Sequence, residues 1–133
     1  MKQVEAIVRP EKLEDVMGAL AQLGQGGLTV SRVRGHGSQG GVRMMWRRRE
    51  YLVDLLPKVR IVTVVADTVI DRVVAAICSA ARTGLMGDGK IFISPVEEVV
   101  RVRTGEVGEA ALSGVPDVRT LPCLPRLVDA EAS

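Results

Sequence analysis

A glycine-rich turn separates a helical pattern from a β-type run in the segment Thr83-Gly84-Leu85-Met86-Gly87-Asp88-Gly89-Lys90-Ile91-Phe92-Ile93-Ser94-Pro95-Val96. Its glycines allow the backbone to approach another group closely and to point N–H groups outward. Lys90 adds a cation, and Arg101 and Arg103 alternate along a predicted strand, so both should face one side. This pattern predicts a phosphate-binding turn. A plain helix-to-strand turn beside a solvated basic strand is the alternative.

The rest of the chain predicts two β-α-β halves. Apolar periodicity predicts helices over residues 11–23 and 67–82, and strands over residues 4–8, 28–33, 59–65, 90–94 and 98–103. Residues 35–55 have no sustained period and are expected to be irregular. The order is typical of an α+β, ferredoxin-like βαββαβ sandwich with both helices on one face of an antiparallel sheet. The other face also has an apolar pattern, so oligomerisation is the simplest way to cover it.

Composition excludes several classes of protein. The chain has 133 residues, of which 47% are hydrophobic, and a net charge of +2 that argues against bulk nucleic-acid binding. No apolar run suits a membrane span and no leader pattern is visible, so we expect a cytoplasmic protein. His36, the sole histidine, lies between glycines, and no nucleophile–base pair stands out. We therefore expect a protein that is not an enzyme.

Two further features lie outside the predicted sandwich. Trp46 and Tyr51 fall in or beside the Gly/Arg-rich loop, where an aromatic residue gains little burial. Trp46 is therefore expected to contact a partner, or else to fold back on its own domain or on a neighbouring subunit. Residues 106–133 are rich in Gly, Pro and acids and are predicted to be a mobile extension; docking around residues 121–127 is the alternative.

Several landmarks together resemble the PII signal-transduction proteins over residues 1–105. They are Arg9-Pro10, Gly35-x-Gly37-x-Gln39, Glu50-Tyr51-x-Val53-Asp54-x-Leu56-Pro57-Lys58, the 83–96 segment and Arg101-x-Arg103-Thr104-Gly105. The resemblance implies a ferredoxin-like homotrimer with three intersubunit ligand clefts. It implies a non-enzymatic sensor of ATP or ADP, and of 2-oxoglutarate bound through Mg²⁺ on the ATP. The ligands would set the shape of the T-loop, residues 37–55, which would grip an ammonium transporter or an enzyme of nitrogen metabolism.

The resemblance also assigns roles to individual residues. Nucleotide-binding positions are Thr29, Gly35, Gly37, Ser38, Gln39, Val64, Gly87, Asp88, Gly89, Lys90, Arg101 and Arg103. Gln39 is also the expected Mg²⁺ ligand, and Gln39 and Lys58 would contact 2-oxoglutarate. Ser38 stands where many members have a basic residue, so one phosphate contact is expected to be lost.

The T-loop tip departs from the family pattern. Its partner-binding residues would be Trp46, Arg47, Arg48 and Arg49, and Tyr51 occupies a position that some members modify. Two alternatives stay open. One is a PII-like regulator of carbon or bicarbonate handling that reads adenine nucleotides without 2-oxoglutarate. The other is a nucleic-acid-binding domain that uses the Arg-rich loop.

Overall fold

A four-stranded antiparallel sheet with two helices forms the body of the protein in a computed structural model that describes residues 1–25, 27–36, 42–46, 49–53 and 55–112. The strand order is β2-β5-β1-β6. The elements are β1 (Lys2–Val8), α1 (Leu13–Gln22), β2 (Thr29–Gly35), β3 (Val42–Trp46), β4 (Arg49–Val53), β5 (Leu56–Val65), α2 (Ile70–Ala81) and β6 (Gly89–Pro95). This is the ferredoxin-like α+β fold that the sequence predicts.

Helix α1 begins and ends where its sequence requires. Pro10 opens a short 3-10 turn before the helix, a position where its missing N–H costs nothing. Gly24 ends the helix in the left-handed region with a φ of 77°. The N–H of Gly24 then donates to the carbonyl of Ala21, and the N–H of Gln25 donates to the carbonyl of Leu20, both at 3.0 Å. This turn directs the chain into β2.

The core lies between the sheet and the helices. Alternate residues of the central strands β1 and β5 are buried on one face, where they pack against the buried sides of α1 and α2. The largest fully buried side chains of this core are those of Val4, Val16, Leu20, Ile61, Val65, Val73 and Ile77. The prediction that both helices cover one face is confirmed.

The opposite face of the sheet is less apolar than predicted. Glu5 on β1 and Arg60 on β5 form an ion pair there at 2.5 Å, and Phe92 on β6 is 53% exposed. The register, which pairs Glu5 with Val62 and with Phe92, places all of these residues on the face away from the helices. This face therefore combines apolar area with fixed charges.

Two predicted segments differ from the structure. Residues 35–55 are not irregular throughout, because β3 and β4 form a hairpin within the T-loop whose last pair is Trp46 with Arg49. No Asn-Gly or Asp-Gly turn signal marks this hairpin in the sequence, so the residue pattern does not predict it. The predicted strand over residues 98–103 is also wrong. Val100 makes a single bridge to Val107, and residues 102–104 form a turn that Gly105 closes at a φ of 74°.

None of the helices in the described ranges has the length and apolar character that crossing a bilayer requires.

Candidate functional site

Asp88 organises the glycine-rich turn from within. Its Oδ2 accepts from the backbone N–H groups of Thr83 and Gly84, each at 2.9 Å, and its Oδ1 accepts from the Thr83 hydroxyl at 2.5 Å. These bonds, those from Thr83 first, hold the pKa of the Asp88 carboxyl well below its usual range. The turn therefore holds the carboxylate in its ionised form, and these bonds help to fix the shape of the loop.

Arg9 ties this turn to the end of β1. Its Nε donates to Asp88 Oδ1 at 3.1 Å, and its terminal nitrogen donates to the carbonyl of Met86 at 2.6 Å. Sequence reasoning treated Arg9 as a landmark and gave Thr83 no role. The available signal was a hydroxyl residue five positions before an acid across a Gly-rich turn, which is typical of a side-chain-closed loop.

A cleft of about 420 Å³ opens beside the turn on the sheet face away from the helices. It brings together three regions that are far apart in sequence: the end of β2, the start of β5 and the turn before β6. Its lining residues are Ile7, Gly35, His36, Leu56, Lys58, Leu85, Gly87, Asp88, Gly89, Lys90 and Phe92. Six of the predicted ligand-binding residues, Gly35, Lys58, Gly87, Asp88, Gly89 and Lys90, therefore share one cleft.

Lys58 is the best-fixed cation in this cleft. Its ammonium group donates to the carbonyl of Gly87 at 2.5 Å. Partial burial lowers the pKa of Lys58, and the nearby Arg9 guanidinium lowers it further; Glu11 and Asp88 oppose this. An ammonium group that is partly desolvated and close to a second cation favours an anion as its neighbour.

Glycine is required at the junction of the turn with β6. Gly87 and Gly89 have φ values of 98° and 104°, which L side chains rarely adopt. A Cβ on Gly89 would also lie 1.7 Å from the carbonyl oxygen of Ile7. Close packing of β6 against β1 at this point therefore excludes any side chain.

A second group of predicted residues lies at the other end of the sheet. Thr29 begins β2 and pairs with Val62, two residues before Val64 on β5. From Lys58 to Val64 the strand runs about 20 Å at the usual rise per residue. One chain does not bring Thr29 and Val64 to the cleft that holds Lys58.

Arg101 and Arg103 follow β6 at this second end, where Val96 donates to the carbonyl of Met1 at 3.1 Å. Arg101 donates to the Glu106 carboxylate at 2.8 Å and to the carbonyl of Ala110 at 3.2 Å. Because the segment turns instead of extending as a strand, the expected placement of Arg101 and Arg103 on one strand face is wrong. Arg103 is exposed, and Arg101 is half-buried in this C-terminal turn.

Several predicted residues lie outside the described part of the chain. They are Gly37, Ser38, Gln39, Arg47 and Arg48, together with residues 113–133 of the predicted extension. Trp46 ends β3, Arg49 begins β4, and Tyr51 pairs with Met44 along the hairpin backbone.

Within the described ranges, no group of three or more His, Cys, Asp or Glu residues is arranged to hold a metal ion. A metal bound with a ligand would instead rely on the ligand's own oxygens and on a neutral donor such as Gln39.

The donor set of the cleft suits phosphate chemistry. Positive-φ glycines let backbone N–H groups face outward, and Lys58 and Lys90 line the same cleft as cations. Among the described lining residues the one carboxylate is that of Asp88, which is hydrogen-bonded within its own turn. Fold and cleft together define a ferredoxin-like α+β domain with a cationic, glycine-rich anion cleft.

Comparison with known proteins gives the family. The family model described as "Nitrogen regulatory protein P-II" matches residues 1–106. The "Nitrogen regulatory protein P-II 2" of Methanothermobacter thermautotrophicus is 54% identical over 112 residues, which cover 84% of this chain and 97% of that protein. The "Nitrogen regulatory protein P-II" of Azospirillum brasilense is 51% identical and that of Cereibacter sphaeroides 52% identical, each over 112 residues that cover 84% of this chain and all of the relative. The chain belongs to the nitrogen regulatory protein P-II family, whose members are signal-transduction regulators rather than enzymes.

Proposed function

We propose that this regulator senses ATP or ADP, together with Mg²⁺ and 2-oxoglutarate, and controls a transporter or enzyme of nitrogen metabolism through its T-loop. The observation that carries the proposal is the cleft in which Gly35, Lys58 and residues 87–90 meet. Its lining provides cations and outward backbone N–H groups, the chemistry that a polyphosphate needs.

The residues proposed to bind the nucleotide lie at opposite ends of the sheet. Lys90 and the glycine-rich turn would hold the phosphates, whereas Thr29 and Val64 would recognise adenine. Lys90 pairs with Ile7, which pairs with Arg60, so about 13 Å along the strands and about 10 Å across them separate Lys90 from Val64. A site formed between two copies, with the turn of one facing Val64 and Arg103 of the next, would bring the two groups closer together. A closed homotrimer with three such clefts satisfies this arrangement for every copy.

The two arginines would contribute unequally. Arg103 is exposed and can fork onto phosphate oxygens of a nucleotide held by the neighbouring copy. Arg101 already donates to Glu106 and to the Ala110 carbonyl, so it would share its guanidinium between these acceptors and a phosphate. Arg101 would therefore hold the C-terminal turn in place as well as contribute charge.

Lys58 would link 2-oxoglutarate to the nucleotide. Its ammonium group contacts Gly87 in the phosphate turn, and two of its three donors remain for an acid ligand. Gln39 and the phosphates would hold the Mg²⁺ ion to which 2-oxoglutarate binds. The metabolite should therefore bind only after the nucleotide and its metal.

The T-loop hairpin would carry the signal to the partner. β3 ends at Trp46, and β4 begins at Arg49. An aromatic residue beside several arginines is the composition of an interaction hot spot. Tyr51 lies on β4, where a modification would change the charge of the hairpin.

Calorimetry on the full chain tests the proposal. ATP or ADP should bind with micromolar affinity, about 7–9 kcal/mol, and 2-oxoglutarate should bind only when MgATP is present. Nucleotide binding with no 2-oxoglutarate response at any Mg²⁺ concentration would favour the alternative regulator that reads adenine nucleotides alone. Failure to bind any adenine nucleotide would reject the proposed site.

A further inference from the structure

Among the described residues, none pairs as a strand with Val64 on the β2 side of β5. Strand β2 begins at Thr29, whose partner on β5 is Val62, while β5 continues to Val65. On the side of β2, the Val64 backbone therefore extends past the last strand pair. An unpaired backbone carbonyl at such an edge needs a donor from elsewhere.

The Gln25 side chain supplies that donor. Its amide nitrogen donates to the hydroxyl of Thr63 at 3.0 Å and to the carbonyl of Val64 at 3.4 Å. Thr63 is 3% exposed, and its hydroxyl donates to the carbonyl of Gly27 at 2.7 Å. Because that hydroxyl proton is already used, Thr63 can only accept from Gln25, which fixes the orientation of the amide.

The two bonds of the amide differ in strength. The bond to Thr63 has ordinary length, whereas 3.4 Å to Val64 is long and readily exchanged. The backbone of Gln25 is anchored by its own bond to the Leu20 carbonyl at 3.0 Å. A donor from a ligand can therefore take the Val64 carbonyl while Gln25 stays on Thr63.

We propose that Gln25 sets how strongly the nucleotide site discriminates at position 6 of the purine ring. The inference rests on the proposed function, in which Val64 recognises adenine. When a base carries a 6-amino group, that group donates to the Val64 carbonyl. When it lacks one, the Gln25 amide keeps the carbonyl satisfied. Gln25 therefore relaxes discrimination, because the penalty of a buried unpaired acceptor never falls on the poorer ligand.

The wild-type protein gives the first test. ATP is compared with purine riboside triphosphate, which has hydrogen in place of the 6-amino group. With Gln25 in place, removal of the amino group should weaken binding by less than about threefold. That loss is smaller than the cost of leaving a buried acceptor without a donor. A loss of about tenfold or more would overturn the proposal, because it would show that Gln25 does not satisfy the carbonyl.

Substitution gives the second test. Gln25→Met keeps the length of the side chain and removes its donors, and Gln25→Glu replaces the donors by a carboxylate. Both should raise the preference for ATP over the analogue to about fivefold or more. Gln22→Met, the same change at an exposed position at the end of α1, should leave the preference unchanged. Thermal unfolding of each variant shows whether its fold is retained.

The outcomes separate the two proposals. If the wild-type chain binds neither ATP nor the analogue, the nucleotide site is rejected and the role of Gln25 with it. If the chain binds ATP and the preference does not rise in either Gln25 variant, the proposed function stands and the role of Gln25 is rejected. A preference that rises equally in Gln22→Met would also reject it.

Discussion

Replacement of Gly89 by alanine should be among the most damaging single-methyl changes in this fold. An added Cβ would lie 1.7 Å from the Ile7 carbonyl oxygen, 2.8 Å from its carbonyl carbon and 3.2 Å from Val8 Cα. These are backbone atoms of the central strand β1, so no side chain can rotate away to make room. Strand β6 would have to move away from β1 at the Val8–Gly89 pair, where the glycine-rich turn joins the sheet.

The expected cost has two parts. The left-handed backbone at a φ of 104° costs an alanine about 1–2 kcal/mol. Separation of the strand ends leaves backbone groups unpaired, which adds about 1–3 kcal/mol. The free energy of unfolding should therefore fall by about 2–5 kcal/mol.

Two other glycines provide matched controls. Gly84 also has a positive φ, 86°, but its added Cβ would meet nothing within 4 Å, so Gly84→Ala should cost only the backbone part, about 1–2 kcal/mol. Gly18 is exposed within α1 and also has open space, so Gly18→Ala should stabilise the protein by about 0.5–1 kcal/mol.

Chemical unfolding of the three variants and the wild type at one protein concentration measures these differences, because the stability of an oligomer depends on concentration. The order should be Gly18→Ala above wild type, then Gly84→Ala, then Gly89→Ala. A Gly89→Ala variant no less stable than Gly84→Ala would refute the close β1–β6 packing from which the argument starts.

Four further predictions concern charged groups. The hydrogen bonds that lower the pKa of Asp88 stabilise the native state above about pH 4, so the unfolding midpoint should drop as the pH falls below that value, and Asp88→Asn should reduce this dependence. Because its pKa is lowered, Lys58 should lose its charge at a lower pH than an ordinary lysine. The affinity for 2-oxoglutarate, measured by calorimetry, should therefore begin to fall at that lower pH, and Lys58→Met should abolish this pH dependence. Arg103→Ala should cost about 1.5–3 kcal/mol of nucleotide affinity without changing the melting temperature. Arg101→Ala should lower both, because it removes the ion pair between Arg101 and the buried Glu106.

The sequence predicted well those parts of the molecule where local pattern and packing agree. Alternation along β1 and β5 and the 3.6-residue period of α1 and α2 each indicate a single buried face. Pro10 and Gly24 mark the ends of the first helical segment through backbone geometry alone. In these cases no distant contact has to override the local preference.

The errors fall where side chains from distant segments decide the structure. The alternation of Arg101 and Arg103 resembles a strand, but the contacts of Arg101 with Glu106 and Ala110 close a turn instead. The engagement of the Asp88 carboxylate by Thr83 and Arg9 was also missed. Neither outcome follows from residue spacing, because each depends on which acceptor a long or short polar side chain meets after folding.

A mixed-oligomer titration tests the central claim, a nucleotide cleft shared between copies, most directly. Lys90→Ala and Arg103→Ala chains would each be titrated with ATP alone, and then after unfolding together in equal amounts and reassembly. If one copy supplies Lys90 and its neighbour supplies Arg103, about one site in four should regain both cations by random assortment and bind ATP with wild-type affinity. Recovery of no such sites in the reassembled mixture, with the wild type treated identically regaining full binding, would contradict a site shared between copies.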